Sequence, residues 1–200
     1  MHSRLIYLIG WSFGGVVAFE AATQLQSAGF DVKGLILIDS PFPRNHQPLP
    51  EGIITHILSN TLSTPNSPKK NRDIINPHLL TEFKQNAALL GTYSPPTTTY
   101  FKTVMLRSRD ILDTEALCGV KYDWLSSQRA RDEAVNGWEG ILGGKVDVLE
   151  IPGNHFEAFD EKSVSPTRCH FTPIKSQFFE QIAETSKQLM KACQIIDRTA

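Results

Sequence analysis

Short apolar runs alternate with a helix-forming stretch near the start of the chain. Residues 5–9 (LIYLI) are continuously apolar and too few for a helix, which predicts a buried parallel strand. Residues 34–38 (GLILI) predict a second strand of the same kind, and the stretch 16–25 between them favours a helix. The apolar face of this helix is expected to carry Val17, Ala21 and Leu25. Strand, helix and strand in this order predict a βαβ unit with a right-handed crossover.

The pattern changes between residues 41 and 98, where most of the prolines fall. A short helix is predicted at 53–59, and a longer one begins at Asn76 and Pro77 and ends at Gly91. The apolar side of the longer helix consists of Leu79, Leu80, Phe83, Ala87 and Leu90. We interpret this segment as a helical lid inserted between strands, and a surface excursion without a role is the alternative.

Alternation of strands and helices resumes after the insertion. Residues 100–106 and 145–151 predict two further strands, and residues 123–138 between them predict a partly helical stretch. An amphipathic C-terminal helix is predicted from the near-helical spacing of Ile174, Phe178, Ile182, Leu189 and Cys193. Residues 1–200 are therefore expected to form one α/β domain with a mostly parallel sheet.

Composition narrows the class of protein. With 200 residues, of which 40% are hydrophobic, the chain can bury a core without disulfide bridges. A formal net charge of −1 and the lack of a basic cluster argue against nucleic acid as a partner. No apolar run approaches the length that a membrane-spanning helix needs, so no membrane association is expected. The three cysteines form no CxxC pair, which favours reduced thiols in a cytoplasmic protein and no metal site.

The first candidate for chemistry is a serine in the sequence GWSFGG (residues 10–15), between the first predicted strand and the first predicted helix. In a G-x-S-x-G motif at such a place, the serine sits on a tight turn and projects its hydroxyl above the sheet. The small residues around it let the strand and the helix pack closely. Ser12 is therefore the candidate nucleophile, and the adjacent helix N-terminus would stabilise an oxyanion.

A serine hydroxyl needs a base that takes its proton, and the best-placed histidine is His155. It lies in PGNHF (152–156), directly after the last predicted strand, and it follows the serine in a serine–acid–histidine chain order. The carboxylate that orients the imidazole could be Asp39, after the second strand, or Asp110, after the third. The lid histidines are expected to be solvated or to cap helices; they are His46, His56 and His78.

Three stretches resemble the thioesterase domains that end polyketide synthases and nonribosomal peptide synthetases, a family with the α/β-hydrolase fold: GWSFGGVVAFEAA, LILIDSP and GNHF. The stretches SPFPRNHQPLP, YDWL and GWEGILGG resemble, more narrowly, the thioesterases that release products from fungal synthases. In this family the acid commonly ends the strand after the nucleophile's helix, and Asp39 follows Ser12 by 27 positions in that context. The resemblance therefore implies Asp39 rather than Asp110 as the acid.

The same resemblance implies a reaction. Ser12 would attack an acyl thioester on the phosphopantetheine arm of an acyl or peptidyl carrier protein, with His155 as base. Water, or a nucleophile within the acyl chain, would then release the small-molecule product, and no bound metal or redox cofactor is implied. The lid would select the acyl group. The lid residues expected to line the pocket, with ordinary packing between lid helices as the alternative, are Ile53, Ile57, Phe83 and Leu90.

One departure from the family concerns the start of the chain. Only four residues precede the first predicted strand, so the strands and the oxyanion loop that usually come earlier are expected to be missing. The backbone N–H of Phe13 is then the only oxyanion donor that can be named. Two alternatives stay open: a catalytically impaired remnant that binds acyl chains or a carrier protein, and a generic carboxylesterase or lipase.

Overall fold

Four parallel strands form the central sheet in a computed structural model, which describes residues 6–61, 77–96, 100–158, 187–188, 191–192 and 194–196. The strands follow one another across the sheet in chain order. They are β1 (Ile6–Trp11), β2 (Val32–Ile38), β3 (Thr103–Ser108) and β4 (Asp147–Ile151). All pairings are parallel, so the mostly parallel sheet predicted from the sequence is confirmed and the carboxyl ends of the strands share one edge.

Helices connect these strands. They are α1 (Phe13–Ser27), α2 (Glu51–Thr61), α3 (Pro77–Thr92), α4 (Thr114–Cys118), α5 (Asp123–Ser126) and α6 (Gln128–Leu142). Helices α2 and α3 lie between β2 and β3, in the segment interpreted above as a lid. No helix within the described ranges has the length and apolar character that crossing a membrane requires.

Apolar side chains cover both faces of the sheet. On one face α1 and α6 pack together, where the fully buried Trp138 contacts the ring of Phe19 edge-on at a centroid distance of 5.4 Å. On the other face Ile36 and Leu106 pack against Ile196, in the C-terminal residues that the structure describes as helical. The residues used to predict the C-terminal helix, Ile174, Phe178, Ile182, Leu189 and Cys193, lie outside the described residues.

The predicted face of α1 is wrong. The buried residues of α1 are Gly15, Val16, Ala18, Phe19 and Ala22, whereas Val17 is 51% exposed. Both sets have helical spacing, so periodicity alone could not choose between them. The packing favours the set with the large aromatic ring, because Phe19 fills the space between the sheet and Trp138 of α6.

The register of the strands brings their ends to the same level. Trp11 pairs with Ile38, and Ile38 pairs in turn with Leu106. At the far side of β3, Ser108 pairs with Ile151, the last residue of β4. All four strands therefore end at the same edge of the sheet, so the residues that follow β1, β2 and β4 meet there.

Candidate active site

Ser12 occupies the turn between β1 and α1. Its backbone has φ 52° and ψ −128°, a conformation that L-residues rarely adopt. Its N–H donates to the carbonyl of Ile38 at 2.9 Å, which ties the turn to the neighbouring strand. A strained backbone held in place by surrounding structure is typical of functional positions, and here it lifts the hydroxyl off the end of the sheet.

The glycines around Ser12 have different reasons to be glycine. A Cβ on Gly10 would lie 2.0 Å from the carbonyl oxygen of Gly14, and a Cβ on Gly15 would lie 1.8 Å from Oγ of Ser40. A Cβ on Gly14 would meet nothing within 4 Å. Close packing of strand and helix, which the sequence predicted for the small residues, therefore depends on Gly10 and Gly15 and not on Gly14.

The structure brings Ser12, His155 and Asp39 into one hydrogen-bonded line. Nε2 of His155 lies 2.9 Å from Oγ of Ser12, and Nδ1 lies 2.9 Å from Oδ2 of Asp39. Because an ionised carboxylate can only accept, Nδ1 carries the ring hydrogen and Nε2 is left to accept from the serine hydroxyl. This is the arrangement in which a histidine acts as base towards a serine.

Aromatic rings enclose His155. The Trp11 ring stacks on the imidazole at a centroid distance of 5.2 Å, and the rings of Trp124 and Phe156 approach it edge-on, each at 4.7 Å. The indole N–H of Trp11 donates to the carbonyl of His155. His155 is 3% exposed, so its interaction with Asp39 takes place away from bulk water, where charge interactions are stronger.

Asp39 follows β2 with a left-handed backbone, φ 46°. Burial by itself would raise the pKa of this carboxyl. The hydrogen bond to His155, the charges of His155 and Arg131 and the N–H of Ser108 outweigh burial and hold the pKa of Asp39 below its ordinary value of 3.8. Asp39 is therefore ionised under ordinary conditions, as the acid of such a line must be.

Arg131 contacts the acid directly, and the sequence did not indicate it. Its Nη2 lies 2.6 Å from each carboxylate oxygen of Asp39, and both side chains are 3% exposed. It comes from the first turn of α6, and 92 positions separate it from Asp39. The segment around it reads as an ordinary charged helix start, so no sequence signal could have found it.

Asp110, the alternative acid, is not brought to the histidine. Its carboxylate is exposed and lies 3.5 Å from Nε of Arg109. Only its backbone takes part in the site, where its carbonyl accepts from Nη1 of Arg131 at 3.2 Å. Chain order left both aspartates open, and the structure joins Asp39 to His155.

A cavity of about 280 Å³ opens at Ser12. Three of the four lid residues expected in its wall line it, namely Ile57, Phe83 and Leu90. Ile53 does not line it and packs instead with Tyr122 and Leu125. The remaining wall includes Phe13 and the rings that surround His155. The N–H of Phe13 stands in the first turn of α1, where helix donors have no partner within the helix.

His46 was expected to be solvated or to cap a helix, and this was wrong. It lines the cavity, and its Nε2 lies 2.7 Å from the hydroxyl of Tyr122. Burial lowers the pKa of His46 to about 4 and raises the pKa of Tyr122, so both side chains are neutral near pH 7. Together they place a polar, uncharged pair in a mostly apolar wall.

The arrangement can carry out nucleophilic acyl transfer. A base is in contact with the serine, a buried carboxylate orients the base, and a helix N-terminus stands beside the hydroxyl. Among the described residues, no three His, Cys, Asp or Glu side chains group in a way that could hold a metal ion.

Solved structures share this fold. The NocB thioesterase domain, in covalent complex with a fluorophosphonate nocardicin G analog, superposes with a TM-score of 0.53 at 22% identity, over 90% of this chain and 63% of that chain. SrfTE, the thioesterase domain for cyclization of the lipopeptide antibiotic surfactin, gives a TM-score of 0.53 at 19% identity, over 78% and 61%. At these identities the likeness shows that the fold is that of α/β-hydrolase thioesterase domains.

Curated relatives are synthases much longer than this chain. An orsellinic acid synthase of Beauveria bassiana (strain ARSEF 2860) is 35% identical over 197 residues, which is 84% of this chain and 9% of that protein. The non-reducing polyketide synthase PKS1 of Zymoseptoria tritici (strain CBS 115943 / IPO323) is 30% identical over 173 residues, covering 80% of this chain and 8% of that protein. The chain therefore spans less than a tenth of the length of these relatives.

The family model described as "Thioesterase domain" matches residues 6–172. This range contains the strained serine, the buried aspartate and the histidine that the fold brings together. Sequence and fold agree, and the chain belongs to the thioesterase domain family.

Proposed function

We propose that the chain releases an acyl group from the phosphopantetheine thiol of a carrier protein, by hydrolysis or by cyclisation, in the biosynthesis of a secondary metabolite. One observation carries the proposal: the Ser12–His155–Asp39 line ends at a mostly apolar cavity rather than at open surface. In this proposal Ser12 is the nucleophile, His155 the base and Asp39 the acid.

The proposed reaction has two halves. Oγ of Ser12 attacks the thioester carbon while its proton moves to Nε2 of His155, and the N–H of Phe13 stabilises the oxyanion. The C–S bond then breaks, and the proton passes from Nε2 to the departing sulfur, which leaves an acyl ester on Ser12. Water, or a nucleophile of the acyl chain, gives its proton to Nε2 and attacks the ester. When the ester C–O bond breaks, the proton returns to the serine oxygen.

The cavity supports a compact acyl group. A volume of about 280 Å³ lies at the small end of ligand pockets in proteins, which suits a short or cyclic acyl group better than a long chain. Aromatic and aliphatic side chains dominate the wall, and His46 and Tyr122 offer hydrogen bonds without a charge. We therefore expect an uncharged, mostly apolar acyl group with at most a few polar substituents.

The relatives support a carrier protein as the partner. The chain is similar to parts of an orsellinic acid synthase and of a non-reducing polyketide synthase. We infer that the acyl group is of the polyketide class, presented on a phosphopantetheine arm, and that the thioesterase itself needs no bound cofactor. The free, half-buried thiol of Cys118 is in keeping with a cytoplasmic location, which we also propose.

Trapping the serine tests this function. The 200-residue chain is incubated with a fluorophosphonate, and intact mass is recorded for the wild type, Ser12→Ala and Ser27→Ala. Ser27 is an exposed serine at the end of α1 and serves as the matched control. We expect one adduct on the wild type and on Ser27→Ala, and none on Ser12→Ala. The same three proteins are then compared in hydrolysis of acyl-pantetheine thioesters and of the matching oxygen esters.

The outcomes separate the alternatives left open by the sequence. An adduct together with faster release from thioesters supports the proposed function. An adduct with a preference for oxygen esters favours a generic carboxylesterase or lipase. If no adduct forms on the wild type, the impaired remnant is the correct interpretation.

A further inference from the structure

Arg131 is buried in a place where a charged side chain has to be fully paired. Only 3% of its surface is exposed, and arginine is almost never buried to this extent without a partner. Its Nη2 contacts both oxygens of Asp39 at 2.6 Å, which makes the carboxylate the partner. The acid of the proposed triad therefore faces two groups at once, the imidazole of His155 and the guanidinium of Arg131.

The other half of the guanidinium is anchored to the end of β3. Nη1 donates to the carbonyl of Ser108 at 2.8 Å and to that of Asp110 at 3.2 Å. The N–H of Ser108 in turn donates to Oδ1 of Asp39 at 3.0 Å. The carboxylate plane is thus fixed by donors on the side away from His155, and Oδ2 is directed at Nδ1 of the imidazole.

We propose that Arg131 is a positioning residue for the thioesterase reaction, which holds Asp39 in the orientation that His155 needs and balances its charge. The inference rests on the proposed function for the meaning of the triad. It goes beyond that function because it assigns a role to a residue outside the triad. Without Arg131 the carboxylate would keep its contacts with the imidazole and with the Ser108 N–H, but it would lose the two guanidinium contacts and the adjacent positive charge.

The positive charge of Arg131 should affect the pH dependence of the rate, which a purely structural link between α6 and β3 would not do. Asp39 and Arg131 together are neutral as seen from His155, whereas Asp39 alone is an anion that stabilises the imidazolium form. Removing Arg131 therefore keeps the base protonated to a higher pH. The acid limb of the pH–rate profile should move to higher pH, by about one unit.

The other polar groups near His155 leave this sign unchanged. At the end of β3 the Ser108 N–H bonds to Asp39. The carboxylate of Asp110, two residues later, does not face the histidine, because it is exposed and lies against Arg109. From the remaining elements, Ser12 at the start of α1 and Trp124 in α5 contact the imidazole of His155. Further out, His46 in the loop after β2 lies against Trp124, and Glu157 accepts from the N–H of Asn154. None of these contacts Arg131 in the described structure.

The test compares Arg131→Met and Arg131→Lys with Arg107→Met in the 200-residue chain. Arg107 is a matched control because it also links β3 to α6, through Asp132, and to β4, through Glu150, without touching Asp39. The readouts are kcat/KM for a benzoyl-N-acetylcysteamine thioester and the rate of fluorophosphonate labelling of Ser12, both measured against pH. Folding of each variant is checked by thermal unfolding.

We expect Arg131→Met to lower kcat/KM by about 10²-fold and to move the acid limb to higher pH by about one unit. Arg131→Lys keeps the charge but lacks the planar fork, so it should lose rate while its acid limb stays in place. Arg107→Met should change neither. If Arg131→Met does not fold, Arg131→Lys alone tests the positioning role, because a normal rate in this variant overturns that role.

Failure of the inference and failure of the proposed function give different results. An unchanged acid limb in Arg131→Met, or an equal shift in Arg107→Met, overturns the role of Arg131 even when the wild type cleaves the thioester. A wild type that is labelled at Ser12 but does not cleave the thioester overturns the proposed function, and the labelling profile alone then decides on Arg131. A wild type that is not labelled overturns both.

Discussion

Nδ1 of His155 lies 2.9 Å from Oδ2 of Asp39, although 116 positions separate the two residues in the chain. Both side chains are buried, and the parallel ladder from β2 to β4 brings them together. A buried charge held by hydrogen bonds is expensive to disturb, so this contact should be sensitive to substitution in both activity and stability.

Asp39→Asn should lower kcat by about 10⁴-fold, because an amide favours the wrong imidazole tautomer even where the geometry survives. Asp110→Asn is the matched control, since the Asp110 carboxylate is exposed and paired only with Arg109 in the described structure. It should stay within a few-fold of the wild type. Steady-state kinetics on an acyl thioester measures both, and a larger loss from Asp110→Asn would show that the acid has been assigned to the wrong residue.

Gly15→Ala should destabilise the fold by about 1–3 kcal/mol, because the new methyl group would overlap with the side chain of Ser40. Gly14→Ala should be neutral or should stabilise by up to about 1 kcal/mol, since the space at Gly14 is open and alanine favours a helix. Free energies of unfolding from denaturant titration distinguish the two. Adding Ser40→Gly to Gly15→Ala should recover part of the loss, and no recovery would mean that the strain arises elsewhere.

His46 should make the stability of the fold depend on pH. In the unfolded chain this imidazole gains a proton near its ordinary pKa of 6.5, whereas burial lowers the pKa in the fold to about 4. The unfolded state therefore binds more protons between these values, and stability falls as the pH falls from 6.5 to 4. His46→Gln should flatten the curve of unfolding free energy in this window. The exposed His78→Gln is the control substitution, and equal curves for all three proteins would contradict the burial of His46.

Phe83→Ala should widen the range of acyl groups, because Phe83 lines the cavity from α3. We expect kcat/KM for an octanoyl thioester, relative to that for a butyryl thioester, to rise by about 10-fold. Leu89→Ala removes an apolar side chain from the same helix at a position that is 57% exposed and outside the cavity wall. An equal rise in both variants would indicate a looser lid rather than a larger cavity.

Much of the framework could be predicted because it depends on local patterns. Continuous apolar runs identified the first two strands, and the glycine-rich turn after the first run identified Ser12. The strand pattern placed Asp39 at the end of the next strand, whereas its choice as the acid over Asp110 followed from the resemblance. These features share one cause: in a parallel sheet, the residue that follows a strand is placed by the strand itself.

Features that depend on packing could not be predicted. Val17 and Val16 are equally apolar, and it is the packing of α1 against the sheet and α6 that buries Val16 and leaves Val17 exposed. Arg131 gives no sign in the sequence that it meets Asp39, because the contact depends on how α6 lies across the ends of β2 and β3. His46 has its low pKa because Tyr122 and Trp124, from a distant stretch, cover it.

The strand ends lie at the same level in the sheet, and this alignment separates the residues that react from the segment that forms much of the cavity wall. Bond breaking depends on the edge of the sheet, where the ladder fixes the ends of β1, β2 and β4, while much of the cavity wall comes from helices in the excursion between β2 and β3. The two tasks are therefore modular. Under the proposed function, swapping the segment between β2 and β3 for that of a relative would be expected to alter which acyl group is accepted, without altering how the ester on Ser12 is formed and broken.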